Sequence, residues 1–447
     1  MNPTNSQPAS AMDRFLRIFG DVRPGEGGTV FIFSLNIFLL LVSYYILKTV
    51  REPLILMAGG AELKSYAAAV QALTLVFYVP VYGWVASKLP RLQFLTAVIF
   101  FFIGCIQLFC LGHWFGVPYL GFIFFVWVGI FSLTTIAQFW SFANDVCDKP
   151  QGDRLFPLIA VGSAAGAPLG AALAEWLFGF HVTPFVMMEI AAGILLLHLC
   201  LYWVAGRRIT AKSKKAEPEP IKSDNGFSLV FKSPYLRFIA FFLVLLNVVN
   251  TLGEYILGKS VVSTADAFVA SNAAFDKSAF IGGFYGHYFF WTNCAAVVFQ
   301  AFVVSRLAKK YGMRAVLMAL PIVGLLVYGA ASFGAGLSML LYMKIAENST
   351  DYSVMNTAKQ MLWLPTRRAE KYKAKQAVDT FFVRSGDMLA AGVVFLGTTL
   401  LTIGTGGFAL INVAFVLIAI GVGILLLREY FRLTAAAKEQ PAAAVAN

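Results

Sequence analysis

Ionisable side chains recur inside the long apolar runs of this 447-residue chain. An ionised side chain in lipid costs at least about 2.5–3.5 kcal/mol, so such residues usually face a polar cavity or one another. Placed along several helices, they can bind a polar solute and line its pathway. The candidate substrate-binding residues are Lys48, Arg51, Asp145, Glu254, Lys259, Lys344, Glu347, Asp351, Lys359, Asp379, Arg384 and Asp387.

The segment MKIAENSTDYSVMNTAKQM (343–361) indicates that these charges are organised. At about 100° per residue, a helix gathers its polar residues in a stripe roughly 120° wide, opposite an apolar face. The stripe consists of Lys344, Glu347, Asn348, Asp351, Met355 and Lys359. An alternative is a purely structural lattice, because Lys344–Glu347 and Arg384–Asp387 are spaced i, i+3. The two interpretations overlap, since ion pairs can also act as gates.

The octapeptide GEYILGKS (253–260) matches the phosphate-loop pattern G-x-x-x-x-G-K-[ST]. A phosphate loop follows a β-strand and opens a helix, so that backbone N–H groups converge on the phosphates. The preceding residues, FIAFFLVLLNVVNTL (238–252), instead form a long apolar run. We therefore predict the outer end of a membrane helix and not an ATPase or other enzyme. The four histidines lack metal-ligand spacing, so we expect no metal site and no cofactor.

The elements that must position these residues are membrane helices. The composition is 59% hydrophobic and 13% charged, too apolar for a soluble protein of this size. A spanning helix needs roughly 20 mostly apolar residues. The predicted spans are 30–57, 66–87, 93–111, 119–143, 155–178, 184–205, 236–258, 281–305, 314–333, 337–360, 376–402 and 407–428. The fold class is therefore an all-α polytopic membrane protein with about twelve helices in two six-helix bundles.

Charge and composition predict the domain organisation and orientation. The predicted domains are a cytosolic N-terminal segment (1–28), a six-helix bundle (29–206), a cytosolic linker (207–232), a second bundle (233–430) and a cytosolic tail (431–447). Most of the 35 Lys and Arg then lie on the cytosolic side, as the positive-inside rule requires. This distribution does not suit a nucleic-acid partner. The segment DRFLRIFG (13–20) is expected to form a short amphipathic helix on the lipid surface.

Two corresponding loops and several motifs carry a family resemblance. GWVASKLPRL (83–92) and VSRLAKKYGMR (304–314) resemble the loop signature of the major facilitator superfamily, although Ser87 and Lys309 replace its acidic residue. Further segments resemble the nucleotide transporter family, the ATP/ADP translocases of plastids and intracellular bacteria. They are RPGEG (23–27), ILKTVREPL (46–54), FWSFANDVCDKPQGDRLFPLIAVG (139–162), NTLGEYILGKS (250–260), DYSVMNTAKQMLWLP (351–365) and AKQAVD (374–379).

The resemblance implies counter-exchange of adenine nucleotides. We expect a bacterial inner membrane, a monomer, which is the default for this fold, and, from the Lys and Arg distribution, two cytosolic termini. Position by position, it assigns charged functional roles to Arg51, Asp145, Glu254 and Lys359. Aromatic neighbours are candidates for stacking on adenine, namely Tyr44, Tyr45, Phe139, Trp140 and Tyr352. Strict exchange has a physical rationale, because an empty cavity with unpaired cations would be costly to close without an anionic substrate.

Departures from the family keep other functions open. Gln360 stands where typical exchangers have glutamate, and Arg384 and Asp387 belong to a run that differs from theirs. The main alternative is a major-facilitator carrier of another anionic or phosphorylated solute, or of phosphate, with or without proton coupling. A receptor or scaffold that keeps the fold without transport is a further alternative.

Overall fold

The computed structural model describes residues 10–18, 20–86, 88, 90–147, 149–209, 226–367 and 370–445. Within these ranges the chain is helical and contains no β-strand, which confirms the predicted all-α class. Most of the predicted linker (210–225), the loop residue Ser87 and the chain ends (1–9 and 446–447) lie outside the described residues.

The chain forms two compact units that do not follow chain order. Unit 1 comprises Met1–Leu54, Pro80–Glu217 and Ser278–Phe290, and unit 2 comprises Ile55–Val79, Pro218–Lys277 and Trp291–Asn447. Each unit thus includes one short segment from the other half of the sequence. The six-helix bundles predicted on either side of the linker remain a prediction.

The first half of the chain holds six of the helices in the described ranges. They are α1 (Ala11–Leu16), α2 (Gly27–Ala86), α3 (Arg91–Trp114), α4 (Leu120–Val146), α5 (Lys149–Gly179) and α6 (Pro184–Ile209). Helix α2 is broken at Gly59 and Gly60, between the spans predicted at 30–57 and 66–87. Gly60 has a φ of 70°, a left-handed conformation that glycine adopts without steric cost.

The second half contains helices of very different lengths, several of them joined by π-helical segments. Its α-helices are α7 (Gly226–Lys232), α8 (Pro234–Ser271), α9 (Lys277–Val298), α10 (Ser305–Ser332), α11 (Leu337–Thr350), α12 (Asn356–Leu362), α13 (Lys375–Ala377), α14 (Val383–Phe395) and α15 (Thr405–Val445). The π-helical segments are Phe299–Val304, Asp351–Met355, Glu370–Ala374, Val378–Phe382 and Leu396–Leu400. Such turns occur frequently at functional sites.

Nine stretches of the described residues are long and apolar enough to cross a membrane. Gly27–Ala86 and Lys277–Ser332 each contain two predicted spans, and the tenth predicted span is divided between α11 and α12. These findings are consistent with about twelve spans. Helix α8 continues past the predicted span end at residue 258 to Ser271, with no glycine or proline after Gly258.

Small residues bring α5 close to α2 within unit 1. A Cβ at Gly162 would lie 2.0 Å from the carbonyl oxygen of Ser34, and one at Gly166 would lie 2.6 Å from that of Phe38. The segment GSAAGAPLGAALA therefore serves helix packing, as small residues do in membrane proteins.

The segment before the first long helix is held by Asp13 and Glu26. Asp13 accepts hydrogen bonds from the backbone N–H groups of Gly25 (3.1 Å) and Gly27 (2.7 Å). These N–H groups, that of Gly25 first, hold the pKa of Asp13 well below its ordinary value. Glu26 Oε1 accepts a hydrogen bond from Arg154 Nη2 at 3.0 Å. Asp13 thus caps the start of α2 at the RPGEG motif, and α1 (Ala11–Leu16) overlaps the helix expected at DRFLRIFG (13–20) at residues 13–16.

Candidate functional site

The most deeply buried charges of unit 2 are Lys344 and Glu347, one turn apart on α11. Their exposed fractions are 2% and 3%, and Lys344 Nζ lies 2.7 Å from Glu347 Oε2. The hydroxyl of Tyr328, on α10, donates to Glu347 at 2.7–2.8 Å. Gly253, on α8, makes room for this cluster, because a Cβ there would lie 1.9 Å from the Tyr328 hydroxyl oxygen. Close packing therefore fixes the positions of all three polar side chains.

Glu254 links this buried pair to a lysine of α2. Its Oε1 accepts from Asn348 at 3.2 Å and lies 3.9 Å from Lys344 Nζ. Its Oε2 lies 3.4 Å from Nζ of Lys64. The i, i+3 spacing of Lys344 and Glu347 thus predicts only part of a network that joins α2, α8 and α11.

Lys259 belongs to a second pair beside this network and does not bond to Glu254. Its Nζ lies 2.5 Å from Glu62 Oε1, which also accepts from the Tyr255 hydroxyl at 3.1 Å. Both GEYILGKS residues singled out from the sequence therefore bind charged residues of α2. Helix α8 runs through the octapeptide without a turn, which confirms that it is not a phosphate loop.

Asp387 is a buried carboxylate on α14 that neutral donors hold. Its Oδ1 accepts from Asn247 Nδ2 at 2.8 Å and from Thr251 Oγ1 at 2.7 Å. Arg384 lies at 3.5 Å from the other oxygen and is itself partly exposed. The amide of Asn247 and the hydroxyl of Thr251, both on α8, thus lie closer to this carboxylate than the guanidinium of Arg384 does.

Lys359 and Asp351 lie in the wall of a small cavity inside unit 2. Lys359 Nζ is 3.2 Å from Asp351 Oδ1, and the cavity has a volume of about 50 Å³. Its other polar lining residues include Asn247, Asn250, Glu347 and Asn348. The space suits a few water molecules rather than a large solute. The neighbouring Gln360 accepts from Lys375 Nζ at 2.7 Å.

The π-helical segments contain several of the residues named from the sequence, among them Met355, Tyr352 and Asp379. Met355 is fully buried in the apolar core of unit 2, so its assignment to the polar stripe is wrong. A π-turn closes i→i+5 hydrogen bonds and rotates the residues that follow it. Tyr352 and Asp379, in two of these segments, are exposed, and Lys375 and Lys359 act electrostatically on Asp379.

In unit 1 the predicted cations of α2 contact aromatic rings and a carboxylate. Arg51 Nη2 lies 2.5 Å from Glu52 Oε1, and its guanidinium stacks over Phe125 at 4.2 Å. Lys48 Nζ lies 4.2 Å from the ring centroid of Phe289 and 5.0 Å from that of Tyr45. Tyr44 packs edge-on against Tyr45. These contacts favour a positive charge near an aromatic surface.

The remaining candidates on α4 differ in exposure. Asp145 is partly exposed near the helix end, and Trp140 is half-buried with its edge against Phe156. Phe139 is fully buried in the unit 1 core, edge-on to Phe33. Its burial indicates packing, and we retain no base-stacking role for it.

The rationale built on unpaired cations does not hold for this structure. The predicted cations with a carboxylate within 4 Å are Arg51, Lys259, Lys344, Lys359 and Arg384. The carboxylate partners Glu52, Glu62 and Asp351 therefore compensate charges that were expected to await a substrate. Glu62, Lys64 and Tyr328 are not among the candidate residues named from the sequence. Their partners are distant in sequence, so no local spacing marks them.

Curated proteins with similar sequences are named ADP,ATP carrier proteins. ADP,ATP carrier protein 1 of Chlamydia trachomatis serovar D is 24% identical over 300 residues, which cover 57% of this chain and 54% of that protein. The chloroplastic carrier protein 1 of Arabidopsis thaliana is 25% identical over 331 residues, or 62% and 51%. Carrier protein 4 of Rickettsia bellii is 20% identical over 305 residues, or 58% and 56%. The matches span about half the length of these relatives.

Solved structures confirm the fold. The nucleoside transporter NupG superposes with a TM-score of 0.64 at 13% identity, over 90% of this chain and 98% of that one. A bacterial homologue of the iron transporter ferroportin gives 0.62 at 14% identity, over 89% and 98%. No protein-family model matches the chain. The superpositions thus confirm the predicted fold, and the sequence matches confirm the resemblance to ADP,ATP carrier proteins.

Proposed function

We propose that this chain is a secondary membrane carrier that exchanges adenine nucleotides, ATP for ADP, by alternating access. Its curated relatives are named ADP,ATP carrier proteins, and its fold is that of known transporters. A carrier of this type needs cations that recognise phosphate and that can be released again when the substrate leaves. Paired cations in a cavity wall meet that requirement.

The observation that carries the proposal is the Lys359–Asp351 pair in the cavity wall of unit 2. Its 3.2 Å separation is that of a charge-assisted contact, and both side chains remain partly exposed. A phosphate oxygen competes with a carboxylate for the same ammonium group, because both are anionic acceptors of similar geometry. When alternating access widens this cavity, substrate phosphates therefore displace Asp351 from Lys359, and Asp351 returns when they leave.

The resemblance assigns comparable roles to Arg51, Asp145 and Glu254. The planar guanidinium of Arg51 gives a bidentate fork for phosphate, while Glu52 holds it in the absence of substrate. Glu254, between Lys64 and Lys344, is the corresponding acidic partner in unit 2. Tyr44, Tyr45 and Tyr352 remain candidates for base stacking.

Exchange follows from competition between substrate and internal carboxylates. The ion pairs hold the protein when no substrate is bound, and the anionic substrate breaks them. A nucleotide on either side can thus release the same pairs, whereas the empty protein lacks a ligand that does so. Exchange thus depends on the stability of the internal ion pairs and not on the cost of unpaired cations.

A proton-coupled carrier of phosphate or a phosphorylated solute is the second candidate. It is favoured by Asp387, which is buried and receives its closest hydrogen bonds from the neutral side chains of Asn247 and Thr251. Protonation of such a carboxylate leaves no closely bound cation without its partner, so the carboxylate is suited to carry a proton. Gln360, in place of the glutamate of typical exchangers, also changes the charge beside Lys375.

The test is nucleotide exchange by variants of the two proposed phosphate-binding cations. In ADP-loaded proteoliposomes, Lys359→Ala and Arg51→Ala are each expected to lower the rate of labelled ATP uptake at least tenfold. Lys310→Ala is the matched control, because Lys310 is exposed beside Tyr311 outside the proposed site. Wild-type exchange rates in both site variants would contradict the proposal.

The placement of the protein is part of the proposal. We infer a bacterial inner membrane, cytosolic termini and a monomeric carrier that does not bind nucleic acid. The excess of Lys and Arg in the alternate gaps assigned to the cytosol supports this orientation. Protease protection of the N-terminal segment in right-side-out vesicles checks it.

A further inference from the structure

A second cavity lies within unit 1 and is distinct from the one that Lys359 and Asp351 line in unit 2. Its volume is about 240 Å³, and residues from the end of α2, the start of α3 and the last third of α4 line it. Tyr82, Phe94 and Leu95 form an apolar wall, and Gln138 and Ser141 provide polar groups. No role has been assigned to this cavity or to Gln138.

Gln138 is the unusual feature of this cavity. Its side chain is 4% exposed, yet neither Nε2 nor Oε1 has a hydrogen-bond partner in the described structure. A buried amide without partners is destabilising, and most buried polar side chains in proteins are satisfied. An unsatisfied amide in a cavity wall therefore points to a ligand that provides one acceptor and one donor side by side.

The other lining residues restrict the shape of that ligand. The rings of Tyr82 and Phe94 lie 5.3 Å apart at an interplanar angle of 51°. Aromatic side chains of this kind pack on flat ring systems. Pockets for drug-sized molecules have volumes of about 300–1,000 Å³, so 240 Å³ suits one heterocyclic base and excludes a whole nucleotide.

We propose that this cavity binds the base of the transported nucleotide and that Gln138 recognises its edge. The amino group and the adjacent ring nitrogen of adenine match the two ends of a glutamine amide, the pairing by which Asn and Gln read adenine in nucleic acids. The inference rests on the proposed nucleotide exchange and adds the residue that selects the base. Tyr82 and Phe94 provide the apolar surface, in place of the stacking predicted for Tyr44, Tyr45 and Tyr352.

The remaining polar groups on α4 fit this assignment. Ser141 and Asp145 follow Gln138 at i+3 and i+7, so the three lie along one face of the helix. Ala137 and Ser141 are exposed, which gives the cavity an opening beside Gln138. The sugar and phosphates of a bound nucleotide then extend out of the cavity through this opening.

Direct binding tests the pocket without transport. Purified wild-type protein is titrated with labelled adenosine and with purine riboside, which lacks the 6-amino group. We expect roughly 5- to 150-fold tighter binding of adenosine, because the riboside leaves the amide oxygen of Gln138 buried without a donor (about 1–3 kcal/mol at 1.4 kcal/mol per factor of ten). Equal affinities, or no adenosine binding, would overturn the proposal.

Two variants attribute the preference to Gln138. Gln138→Leu is expected to bring the two affinities within about twofold and to raise the thermal unfolding midpoint, because it removes an unsatisfied buried amide. Gln107→Leu is the control, since Gln107 bonds to Glu189 and does not line the cavity. An adenosine preference that survives Gln138→Leu, or a lowered midpoint, would overturn the assignment.

Exchange measurements on the same preparations separate the two proposals. If ATP/ADP exchange is absent but adenosine binding depends on Gln138, the transport proposal fails and the pocket stands. If exchange occurs and Gln138→Leu still discriminates ATP from the 6-unsubstituted purine nucleotide as the wild type does, the pocket proposal fails. The expected result is exchange in both proteins with base discrimination only in the wild type.

Discussion

The buried pair Lys344–Glu347 gives the sharpest prediction about stability. The two residues differ in the partners that each keeps when the other is substituted. In Lys344→Met, Glu347 keeps only the Tyr328 hydroxyl as a close partner among the contacts described for it. In Glu347→Gln, Lys344 still has Glu254 at 3.9 Å and Asn250 at 3.5 Å. The lysine variant should therefore be the more destabilised.

The magnitudes follow from the burial of both groups. Loss of one partner of a buried ion pair costs about 3–5 kcal/mol, which is the expectation for Lys344→Met. Loss of a charge-assisted hydrogen bond costs about 1.5–3 kcal/mol, which is the expectation for Glu347→Gln. The double variant removes both charges, so its free energy of unfolding should lie above that of Lys344→Met alone.

Reversible unfolding in mixed micelles, measured as a double-mutant cycle, is the assay. The pair Arg432–Glu429, at 2.9 Å on α15 with an exposed arginine, is the control and should couple by less than about 1 kcal/mol. Strictly additive costs for Lys344→Met and Glu347→Gln would refute the reasoning, because they would mean that the two buried charges do not compensate one another.

Three further changes probe other parts of the structure. Gly253→Ala should lower the free energy of unfolding by about 1–3 kcal/mol through its clash with Tyr328, and adding Tyr328→Phe should restore part of it; full stability of the single variant would contradict the packing. Gln360→Glu places a negative charge beside Lys375 and should raise the KM for an anionic substrate at low salt, with a smaller effect at high salt. Asp13→Asn should expose the segment before α2 to protease equally at about pH 5 and pH 7.5. The lowered pKa of Asp13 keeps its contribution intact above the ordinary carboxylate value of about 3.9, so a pH-dependent difference would contradict this assignment.

The sequence predicts the fold well because membrane spans depend on local composition. The helix break at Gly59 and Gly60 falls between two predicted spans, and the apolar runs end close to the observed helices. Helix α8 extends beyond its predicted span, since residues 259–271 are more polar than the span but contain no helix breaker. Hydropathy detects the lipid boundary, whereas helix termination depends on glycine, proline and capping.

The candidate site is predicted in its composition but not in its pairing. Charges inside apolar runs mark Lys344, Glu347 and Asp387 correctly as buried or half-buried polar groups. Their partners are missed because pairing between helices depends on three-dimensional packing. The signal for Gln138 is present in TIAQFWSF as a single amide within an apolar run, but its lack of partners is visible only in the structure.

The measurement that tests the central proposal most directly is uptake of labelled ATP by proteoliposomes that contain the purified protein, with or without internal ADP. The account predicts rapid uptake into ADP-loaded vesicles and little into empty ones, since only a nucleotide on the inner side displaces the internal carboxylates for the return step. Absence of uptake into both, with protein shown to be folded by its cooperative thermal unfolding, would contradict adenine nucleotide transport. Equal uptake into both would contradict exchange.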